Sequence, residues 1–366
     1  MKKLILMCET SDSDNSHLIK LNLKNNTLST ESFKIMLSGM ELTENGPKLS
    51  QKNNIKAFNM FFDVLEERMQ NGLLTVVKCD SIEKQFDRYR VLCQKYRYEC
   101  ILIGSNLELN KKFNFVKKIK IERLAQEVQL KYQDISRYKK VIHIGDIHGC
   151  YSVLREAIRD VKFDNFYIFH GDYLDRGIEN AATLKYILKL RKKPNVVFLK
   201  GNHEFNLIRY SNGEETYGKV FEKTKAEIEE AHISIRDIKD FCNQLQNYFA
   251  YQYKNKKVFC THGGISSLKD ISLVSELSFV VGSDSFDSDI DKLWEKNVEN
   301  VYQVHGHRNE NNAPILASIN SFNLEGAVEF GGSLRVLELD SHFHTKNLKN
   351  KVYSNEYEDV ESAINL

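Results

Sequence analysis

The sequence predicts an α/β protein built from two modules. Strand-like apolar runs alternate with helical stretches, and this alternation is typical of βαβ crossovers with parallel strands. In the second half of the chain, each apolar run ends in a loop that contains glycine together with histidine, aspartate or asparagine. The length of 366 residues favours two domains, and a single large α/β domain is the alternative.

The composition excludes several classes of protein. The 52 basic and 50 acidic side chains nearly cancel, so net charge gives no argument for binding nucleic acid or a membrane. The seven cysteines contain no Cys-x-x-Cys pair, which is typical of reduced thiols in a cytoplasmic protein. Since no stretch approaches the ~20 apolar residues that a membrane-spanning helix needs, we expect a soluble, cytoplasmic protein.

The first module is predicted to occupy residues 1–138. Its pattern indicates, in order, a strand at 1–8, a helix at 53–70, a strand at 73–77, a helix at 82–96 and a strand at 100–103. Residues 111–140 are rich in lysine and carry Ile119, Leu124, Val128 and Leu130 at roughly helical spacing. We therefore interpret this segment as a helical connector whose basic face is solvated.

The second module is predicted to occupy residues 139–345, followed by a polar tail at 346–366. Its five apolar runs lie at 141–144, 166–169, 196–199, 258–260 and 301–304. A largely helical insertion is expected between the third and fourth runs, at 205–251. Hairpin-like strands are expected around 330–339.

The loops after the first two runs carry carboxylates, an imidazole and an arginine. The first reads GDIHG at 145–149, so that Asp146 and His148 can turn toward one metal ion. The second reads GDYLDRG at 171–177. Asp172 can bridge two metal ions, Asp175 is a second acid, and the planar fork of Arg176 suits phosphate oxygens.

The loops after the other three runs add neutral donors. GNHE at 201–204 offers the amide oxygen of Asn202 and, in His203, a group able to protonate a leaving alkoxide. THGG at 261–264 and HGH at 305–307 supply further histidines. Mixed oxygen and imidazole ligands without thiolate favour manganese, iron, zinc or nickel over a soft or purely structural site, and ligand type does not distinguish among these four metals. We expect two divalent metal ions, with Mn2+ as the first candidate.

Two such ions would generate a hydroxide near neutral pH and stabilise charge during an in-line displacement at phosphorus. A single His-Gly or Asp-x-His element more often belongs to a turn than to a metal site. Five elements, each at the end of a strand-like run, are typical of a site, because ligands of open α/β sheets gather at the carboxyl ends of strands.

Through these five motifs, residues 141–340 resemble the calcineurin-like metallophosphoesterase superfamily, in its branch of phosphoprotein phosphatases and diadenosine tetraphosphate hydrolases. The resemblance implies an αββα sandwich. It also implies a ligand set in which Asp146 and His148 bind the first metal, Asp172 bridges, and Asn202, His262 and His307 bind the second.

The same resemblance assigns the remaining roles. Asp175 and His203 correspond to the catalytic acid pair, and Arg176 to the phosphate clamp. His307 is preferred over His305 because the family places its last ligand directly after glycine. Many relatives carry a second phosphate-binding arginine between the fourth and fifth motifs, but residues 263–304 contain none; Arg308 or Lys269 is the candidate substitute.

Within the superfamily, residues 201–224 are most similar to the phosphatase module of bacterial polynucleotide kinase-phosphatases, with Tyr217 in place of a histidine. Residues 71–96 resemble the second half of the kinase domain that precedes that module. A working kinase needs a glycine-rich loop ending in Gly-Lys-Ser or Gly-Lys-Thr. Residues 7–15 contain neither glycine nor lysine, so we expect a P-loop-kinase-like α/β domain that lacks the phosphate-binding loop and kinase activity.

The leading functional hypothesis is therefore a dinuclear metal-dependent phosphatase of RNA or DNA ends, of the kind used in RNA repair. It would remove a 3′ phosphate or open a 2′,3′-cyclic phosphate. Hydrolysis of dinucleoside tetraphosphates and dephosphorylation of serine or threonine in proteins are alternatives. A non-catalytic scaffold or regulatory protein is the alternative outside enzymes, and the complete ligand set argues against it. The sequence does not reveal an oligomeric state.

Overall fold

The computed structural model describes residues 2–8, 12–79, 85–104, 115–283, 285, 288–309 and 313–353. The chain divides into two compact units. The first unit consists of Met1–Leu130 with Lys269–Glu276, and the second of Lys131–Leu268 with Leu277–Leu366. Residues 269–276, which the sequence placed in the second module, thus belong to the first compact unit.

The first unit is an α/β module. Its helices and strands are β1 (Lys3–Cys8), α1 (Asp12–Lys20), β2 (Thr27–Ser29), α2 (Thr30–Ser38), β3 (Met40–Thr43), β4 (Gly46–Leu49), α3 (Asn54–Gln70), β5 (Thr75–Cys79), α4 (Phe86–Tyr96), β6 (Glu99–Ile103), β7 (Val116–Ile119) and α5 (Leu124–Val128). Five strands form one sheet in the order β2-β5-β1-β6-β7, and every neighbouring pair is parallel. The parallel sheet predicted from the alternation of strands and helices is confirmed.

The central strand β1 is buried on both faces, as the continuous apolar run predicts. Leu4 and Leu6 pack into one apolar cluster, whereas Ile5 and Met7 pack into another on the opposite face. Since successive side chains of a strand point to opposite faces, this alternation places helices on both sides of the sheet.

The helical connector predicted at 111–140 is confirmed only at α5 (Leu124–Val128) and is wrong at 116–119. Val116–Ile119 is instead the edge strand β7, paired in parallel with β6. In this strand Val116 is buried, whereas Lys117 and Lys118 are exposed. Lysines are common on edge strands. Of the four apolar residues at helical spacing, only Leu124 and Val128 lie in a helix, and both are buried there. Residues 111–114 lie outside the described residues.

The second unit contains the remaining elements. They are β8 (Gln133–Asp134), β9 (Lys140–Ile144), α6 (Tyr151–Ala157), β10 (Asn165–Phe169), α7 (Asn180–Leu190), β11 (Val196–Phe198), α8 (Glu204–Asn212), α9 (Lys219–Glu230), α10 (Ile235–Cys242), β12 (Tyr248–Tyr253), β13 (Lys256–Thr261), α11 (Glu276–Val281), α12 (Ile290–Asn297), β14 (Val301–His305), β15 (Leu316–Ser318), β16 (Ser321–Asn323), β17 (Ser333–Leu339) and β18 (Phe343–Lys349). All five apolar runs of the sequence are strands.

Two mixed sheets form the centre of this unit, in the orders β11-β10-β9-β17-β18 and β15-β16-β14-β13-β12-β8. Phe166 and Ile168 of β10 share an apolar cluster with Val258 of β13, so the sheets pack face to face. The alternate residues of β10 pack with α7. On the far side of the second sheet, the ring of Phe259 stacks on Trp294 of α12 with centroids 6.2 Å apart. The layers therefore run helix, sheet, sheet, helix.

Two predicted boundaries differ from the structure. The insertion at 205–251 is helical through α8, α9 and α10 but ends in β12, because residues 248–253 pair with β13. The predicted tail begins inside β18, which continues to Lys349 by pairing with β17. Residues 354–366 lie outside the described residues. Among the residues that the structure describes, no helix is long and apolar enough to cross a membrane.

Candidate metal centre

The predicted site residues follow the carboxyl ends of strands from both sheets. Asp146, Asp172 and Asn202 follow the parallel strands β9, β10 and β11. His262 and His307 follow β13 and β14, which are also parallel to each other. Backbone hydrogen bonds join these loops: His148 N donates to Asp172 O over 2.8 Å, and Gly306 N donates to His262 O over 2.8 Å. Across the sheets, His262 Nδ1 lies 2.7 Å from His170 O, which follows β10, so the loops of the two sheets meet in one place.

One half of the centre surrounds Asp146 and His148. Ligand atoms of these two residues and of Glu325 lie within 4.8 Å of one another. His148 Nδ1 lies 3.2 Å from Leu174 O and donates to it, which leaves the Nε2 lone pair directed into the centre. Burial lowers the pKa of His148 to about 4. His148 is therefore neutral at physiological pH, as a metal ligand must be.

The other half surrounds His262, His307 and Asn202. Ligand atoms of Asp172, His262 and His307 lie within 4.8 Å of one another. His262 Nδ1 lies 2.7 Å from His170 O, which it uses as a hydrogen-bond acceptor, so Nε2 faces the centre. Burial holds the pKa of His307 well below its usual value. This half offers two imidazoles and an amide.

Asp172 lies between the two halves. Its Oδ2 is 3.5 Å from His148 Nε2, and its Oδ1 is 3.3 Å from His262 Nε2. Each carboxylate oxygen thus faces the lone pair of a different histidine. This is the arrangement that a bridging carboxylate requires, and it matches the role that the sequence resemblance implied for Asp172.

Two observations test whether these residues fit metal ions. Asp146 Oδ1 is buried and has no hydrogen-bond partner among the described residues. Asn202 Oδ1 lies 3.1 Å from both His307 Nδ1 and Asp172 Oδ2, so an amide oxygen faces only lone pairs. The opposite amide orientation would donate hydrogen bonds to the same atoms without a cation. We favour the oxygen-inward orientation because buried carboxylates on the same centre demand positive charge. The donor set fits two divalent ions.

The predicted acid pair is formed. His203 Nδ1 lies 2.7 Å from Asp175 Oδ2, and Thr224 Oγ1 donates to Asp175 Oδ1 over 2.5 Å. Burial lowers the pKa of His203, but the charge of Asp172 and the hydrogen bond to Asp175 outweigh burial and raise it to about 8. His203 Nε2 is buried and has no hydrogen-bond partner among the described residues. It is therefore oriented to hold a proton toward the centre.

The predicted phosphate clamp, Arg176, has a partner that the sequence did not indicate. Arg176 Nη1 lies 3.0 Å from Glu329 Oε1, and the same carboxylate oxygen lies 3.6 Å from His148 Nε2. Burial opposes the charge of Arg176, but the attraction of Glu329 prevails and raises its pKa. Its side chain is 29% exposed, so solvent reaches part of Arg176.

The backbone at the site is strained. His148, Asp172, Asp175, Arg176 and His307 all adopt positive φ, between 43° and 75°. Such conformations cost about 1–3 kcal/mol each in non-glycine residues and cluster at functional sites. The packing is equally tight: a Cβ on Gly306 would lie 1.9 Å from Asp146 Oδ1, and one on Gly201 would lie 2.1 Å from Asp172 Oδ1.

Several residues that position the centre were not assigned from the sequence. Glu204 accepts hydrogen bonds from the backbone N–H groups of Asp172 over 2.9 Å, Tyr173 over 3.0 Å and Gly201 over 2.7 Å, and so ties the second loop to the third. Glu325 and Glu329 follow β16, where the sequence indicated only a hairpin. Two acids within the apolar, glycine-rich stretch 323–332 were the available signal.

The sequence also offered His305 as the alternative last ligand, and Arg308 or Lys269 as the second phosphate clamp. His305 Nε2 is 3.0 Å from Asp291 Oδ1, so its ring faces α12 rather than the ligand cluster of His307. The Arg308 guanidinium donates to the carbonyls of Val281 and Ser285. Lys269 belongs to the first compact unit. These contacts do not place Arg308 as a second phosphate clamp, and the role of Lys269 stays a prediction.

Comparisons with known proteins find a family match over the part of the chain that contains the metal centre. The model of a family described as calcineurin-like phosphoesterase matches residues 139–339, more than half of the chain. Among solved structures, the chain is similar to a protein serine/threonine phosphatase from Saccharomyces cerevisiae, with 15% identity over 65% of this chain and 93% of that chain and a TM-score of 0.46. A chain assigned as a diadenosine tetraphosphatase has 15% identity over 61% of this chain and all of its own length, with a TM-score of 0.42. A cold-active protein-tyrosine phosphatase from a psychrophilic Shewanella species has 16% identity over 61% and 84%, with a TM-score of 0.39.

Proposed function

The chain belongs to the calcineurin-like phosphoesterase family and is a metal-dependent hydrolase of phosphate esters, and we propose that its substrates are the 3′ phosphates and 2′,3′-cyclic phosphates of nucleic-acid ends. Two divalent ions, with Mn2+ the first candidate, would supply an activated water and charge stabilisation when bound. Asp146, His148 and Glu325 would hold one ion, and Asn202, His262 and His307 the other, with Asp172 shared.

The residues of the chain supply the rest of the chemistry. Arg176 binds the non-bridging phosphate oxygens. His203, held in one tautomer by Asp175 at 2.7 Å, delivers a proton from Nε2 to the leaving oxygen. This is general acid catalysis of the departure of the sugar hydroxyl. Glu204 keeps the loops of Asp172 and Asn202 in register through its backbone contacts.

An exposed aromatic residue tied to the helix that follows His203 carries the proposal for nucleotide substrates. Tyr217 is 58% exposed. Its backbone is clamped by Asn206, which donates to Tyr217 O over 2.8 Å and accepts from Tyr217 N over 3.0 Å. Asn206 lies in the first turn of α8, directly after His203. An exposed ring whose backbone is fixed to the helix that begins after His203 suits the stacking of a nucleobase.

Arg209 completes this platform. Its guanidinium carbon lies 4.6 Å from the centre of the Tyr217 ring, and its Nη2 donates to the tyrosine hydroxyl over 3.1 Å. The Tyr217 ring is thus held in place by Arg209. A phosphoserine peptide carries no base for such a platform. A dinucleoside tetraphosphate does, and it stays the second candidate.

A substrate panel tests this proposal. We expect the Mn2+-loaded protein to release phosphate from 3′-phosphorylated oligonucleotides and to open 2′,3′-cyclic phosphates, and Asp146→Asn to abolish both activities. Tyr217→Ala should raise the KM for these nucleotides about tenfold, the scale of one lost base–aromatic stack, while p-nitrophenyl phosphate hydrolysis is unchanged. Tyr217→Phe is the matched control and should behave as the wild type. Turnover of phosphopeptides or dinucleoside tetraphosphates without turnover of nucleic-acid ends would contradict the proposal.

For the first unit we propose a kinase-like fold without kinase activity. Its parallel sheet, with strands in the chain order 2-3-1-4-5, supports the fold, and the absence of glycine and lysine from residues 7–15 supports the loss of activity. Residues 9–11 lie outside the described residues. Incubation with ATP and a 5′-hydroxyl oligonucleotide should give no phosphate transfer. A cytoplasmic location is a further proposal, supported by the buried free cysteines of the described residues.

A further inference from the structure

Glu329 is a buried carboxylate that the catalytic roles above do not use. It is 2% exposed, and it lies in the turn Val328–Phe330 between β16 and β17. That turn is fixed, because Asn350 donates to Val328 O over 2.8 Å and Gly332 N donates to Ala327 O over 2.9 Å. The position of the carboxylate is therefore built into the fold.

The two oxygens of Glu329 have different surroundings. Oε1 is paired with Arg176 at 3.0 Å and faces His148 Nε2 at 3.6 Å. Oε2 is buried and has no hydrogen-bond partner among the described residues. Burying a carboxylate oxygen without a hydrogen-bond partner costs free energy even where the other oxygen is paired, so the presence of this carboxylate beside the clamp calls for a functional reason.

The consequence for the clamp is electrostatic. An arginine that faces only substrate contributes a full positive charge, whereas Arg176 is already paired with one negative charge. At neutral pH a phosphate monoester is largely a dianion, since its second pKa is about 6. A phosphodiester carries one negative charge. The second charge of the monoester would be added next to Glu329, in a place where little solvent screens it.

From this geometry we infer that Glu329 is a specificity-determining residue, which makes the centre favour phosphodiesters, such as 2′,3′-cyclic phosphate ends, over phosphate monoesters. This inference rests on the proposed function and narrows it. Glu329 does so by offsetting the charge of Arg176 at the place where a non-bridging oxygen binds. Residues 263–304 also contain no second arginine. The Glu329 carboxylate and this missing arginine both reduce the positive charge available to a dianionic phosphate.

The test compares two substrates that share one nucleoside, adenosine 2′,3′-cyclic phosphate and adenosine 3′-phosphate. For the Mn2+-loaded wild type we expect the larger kcat/KM with the cyclic diester. In Glu329→Gln we expect the ratio of monoester to diester kcat/KM to rise about tenfold, which corresponds to about 1.4 kcal/mol. Glu329→Asp keeps the charge and should keep the wild-type preference.

A binding measurement gives a readout besides activity. Calorimetric titration with inorganic phosphate at pH 8, where it is a dianion, should show about tenfold tighter binding to Glu329→Gln than to the wild type, again for about 1.4 kcal/mol. Asp237→Asn is the control. Asp237 lies on α10 and forms an ion pair with Arg191, so this variant also removes a carboxylate that is paired with an arginine. It should change neither phosphate binding nor the substrate ratio.

Three outcomes would overturn the inference. The first is an unchanged substrate ratio in Glu329→Gln with two metal ions bound. The second is a fall to one bound ion, which would make Glu329 a metal ligand instead. The third is a wild type that prefers the monoester. If the Gln variant does not fold, loss of the diester preference in folded Glu329→Asp would also count against it. Failure of the wild type to hydrolyse either nucleotide would instead contradict the proposed function.

Discussion

The two halves of the metal centre use different chemistry. The acidic half consists of Asp146, His148, Glu325 and Glu329, with Arg176 at its edge. The neutral half consists of Asn202, His262 and His307. Asp172 is shared, with one oxygen toward each half. Both halves form at strand ends, so the fold alone does not explain the difference.

The difference teaches how the two ions would be held. Carboxylate oxygens suit hard cations such as Mn2+ and Mg2+, whereas imidazole suits zinc, iron and nickel. The acidic half would therefore hold its ion mainly by charge, and the neutral half mainly by ligand type. Arg176 and Glu329 add a cation and an anion at the acidic half alone. The charge of the substrate phosphate should therefore affect binding mainly at this half.

The largest effect is expected where the halves meet. Asp172→Asn should lower kcat/KM by at least about 10³-fold, because loss of one transition-state contact alone costs 10²–10³-fold and this change weakens both ions. Metal analysis of the purified variant should show fewer than two ions per chain. Retention of both ions with near-normal activity would break the assignment of Asp172 as the bridge.

The next effect concerns His203, which acts from outside both halves. His203→Ala should lower kcat for a 3′-phosphorylated oligonucleotide about 10²-fold, the lower range for general acid catalysis. For p-nitrophenyl phosphate the loss should be small, since its leaving group needs no proton. Metal content should stay at two ions. Equal losses with the two substrates would show that His203 does not protonate the leaving group.

A smaller effect should separate the halves by metal identity. His262→Ala removes an imidazole ligand from the neutral half and should lower zinc affinity by more than the about 10–100-fold typical of losing an outer-shell partner, while Mn2+ binding at the acidic half changes little. Competition between Zn2+ and Mn2+, followed by metal analysis, measures this. His305→Ala is the control, because its ring pairs with Asp291. Equal loss of both metals in His262→Ala would argue against distinct halves.

The smallest effect is expected at Thr224, which donates to Asp175. Thr224→Val keeps the shape of the side chain and removes one hydrogen bond to a carboxylate, worth about 1.5–3 kcal/mol. Asp175 stays hydrogen-bonded to His203, so only part of the lost hydrogen-bond free energy should raise the activation free energy. We therefore expect a loss of kcat of about tenfold or less. A loss as large as that of His203→Ala would mean that Thr224 itself contacts substrate.

The neutral half was predicted from the sequence, as were Asp146, His148 and Arg176 of the acidic half, but Glu325 and Glu329 were not. Asn202, His262 and His307 each directly follow an apolar strand, so local pattern was enough to find them. Glu325 depends on register: β16 pairs with β14 so that Asn323 lies opposite His305. Glu325 therefore runs beside the loop of His307, a neighbourhood that no local pattern encodes.

The fold shows the same limit. Five strands of the two sheets of the second unit, β9, β10, β11, β13 and β14, were visible as apolar runs, because a doubly covered strand is apolar throughout. The edge strand at Val116–Ile119 was missed since its burial is one-sided and short. Tertiary pairing with β6, rather than intrinsic preference, makes that segment a strand.

The most direct test of the dinuclear centre is calorimetric titration of chelator-treated protein with Mn2+, with phosphate release from 3′-phosphorylated oligonucleotides measured in the same samples. We expect two ions per wild-type chain and activity that appears as the second ion binds. His148→Ala and His262→Ala should each bind one ion and be inactive. A wild type that binds a single ion, or that is fully active without metal, would contradict a centre of two halves.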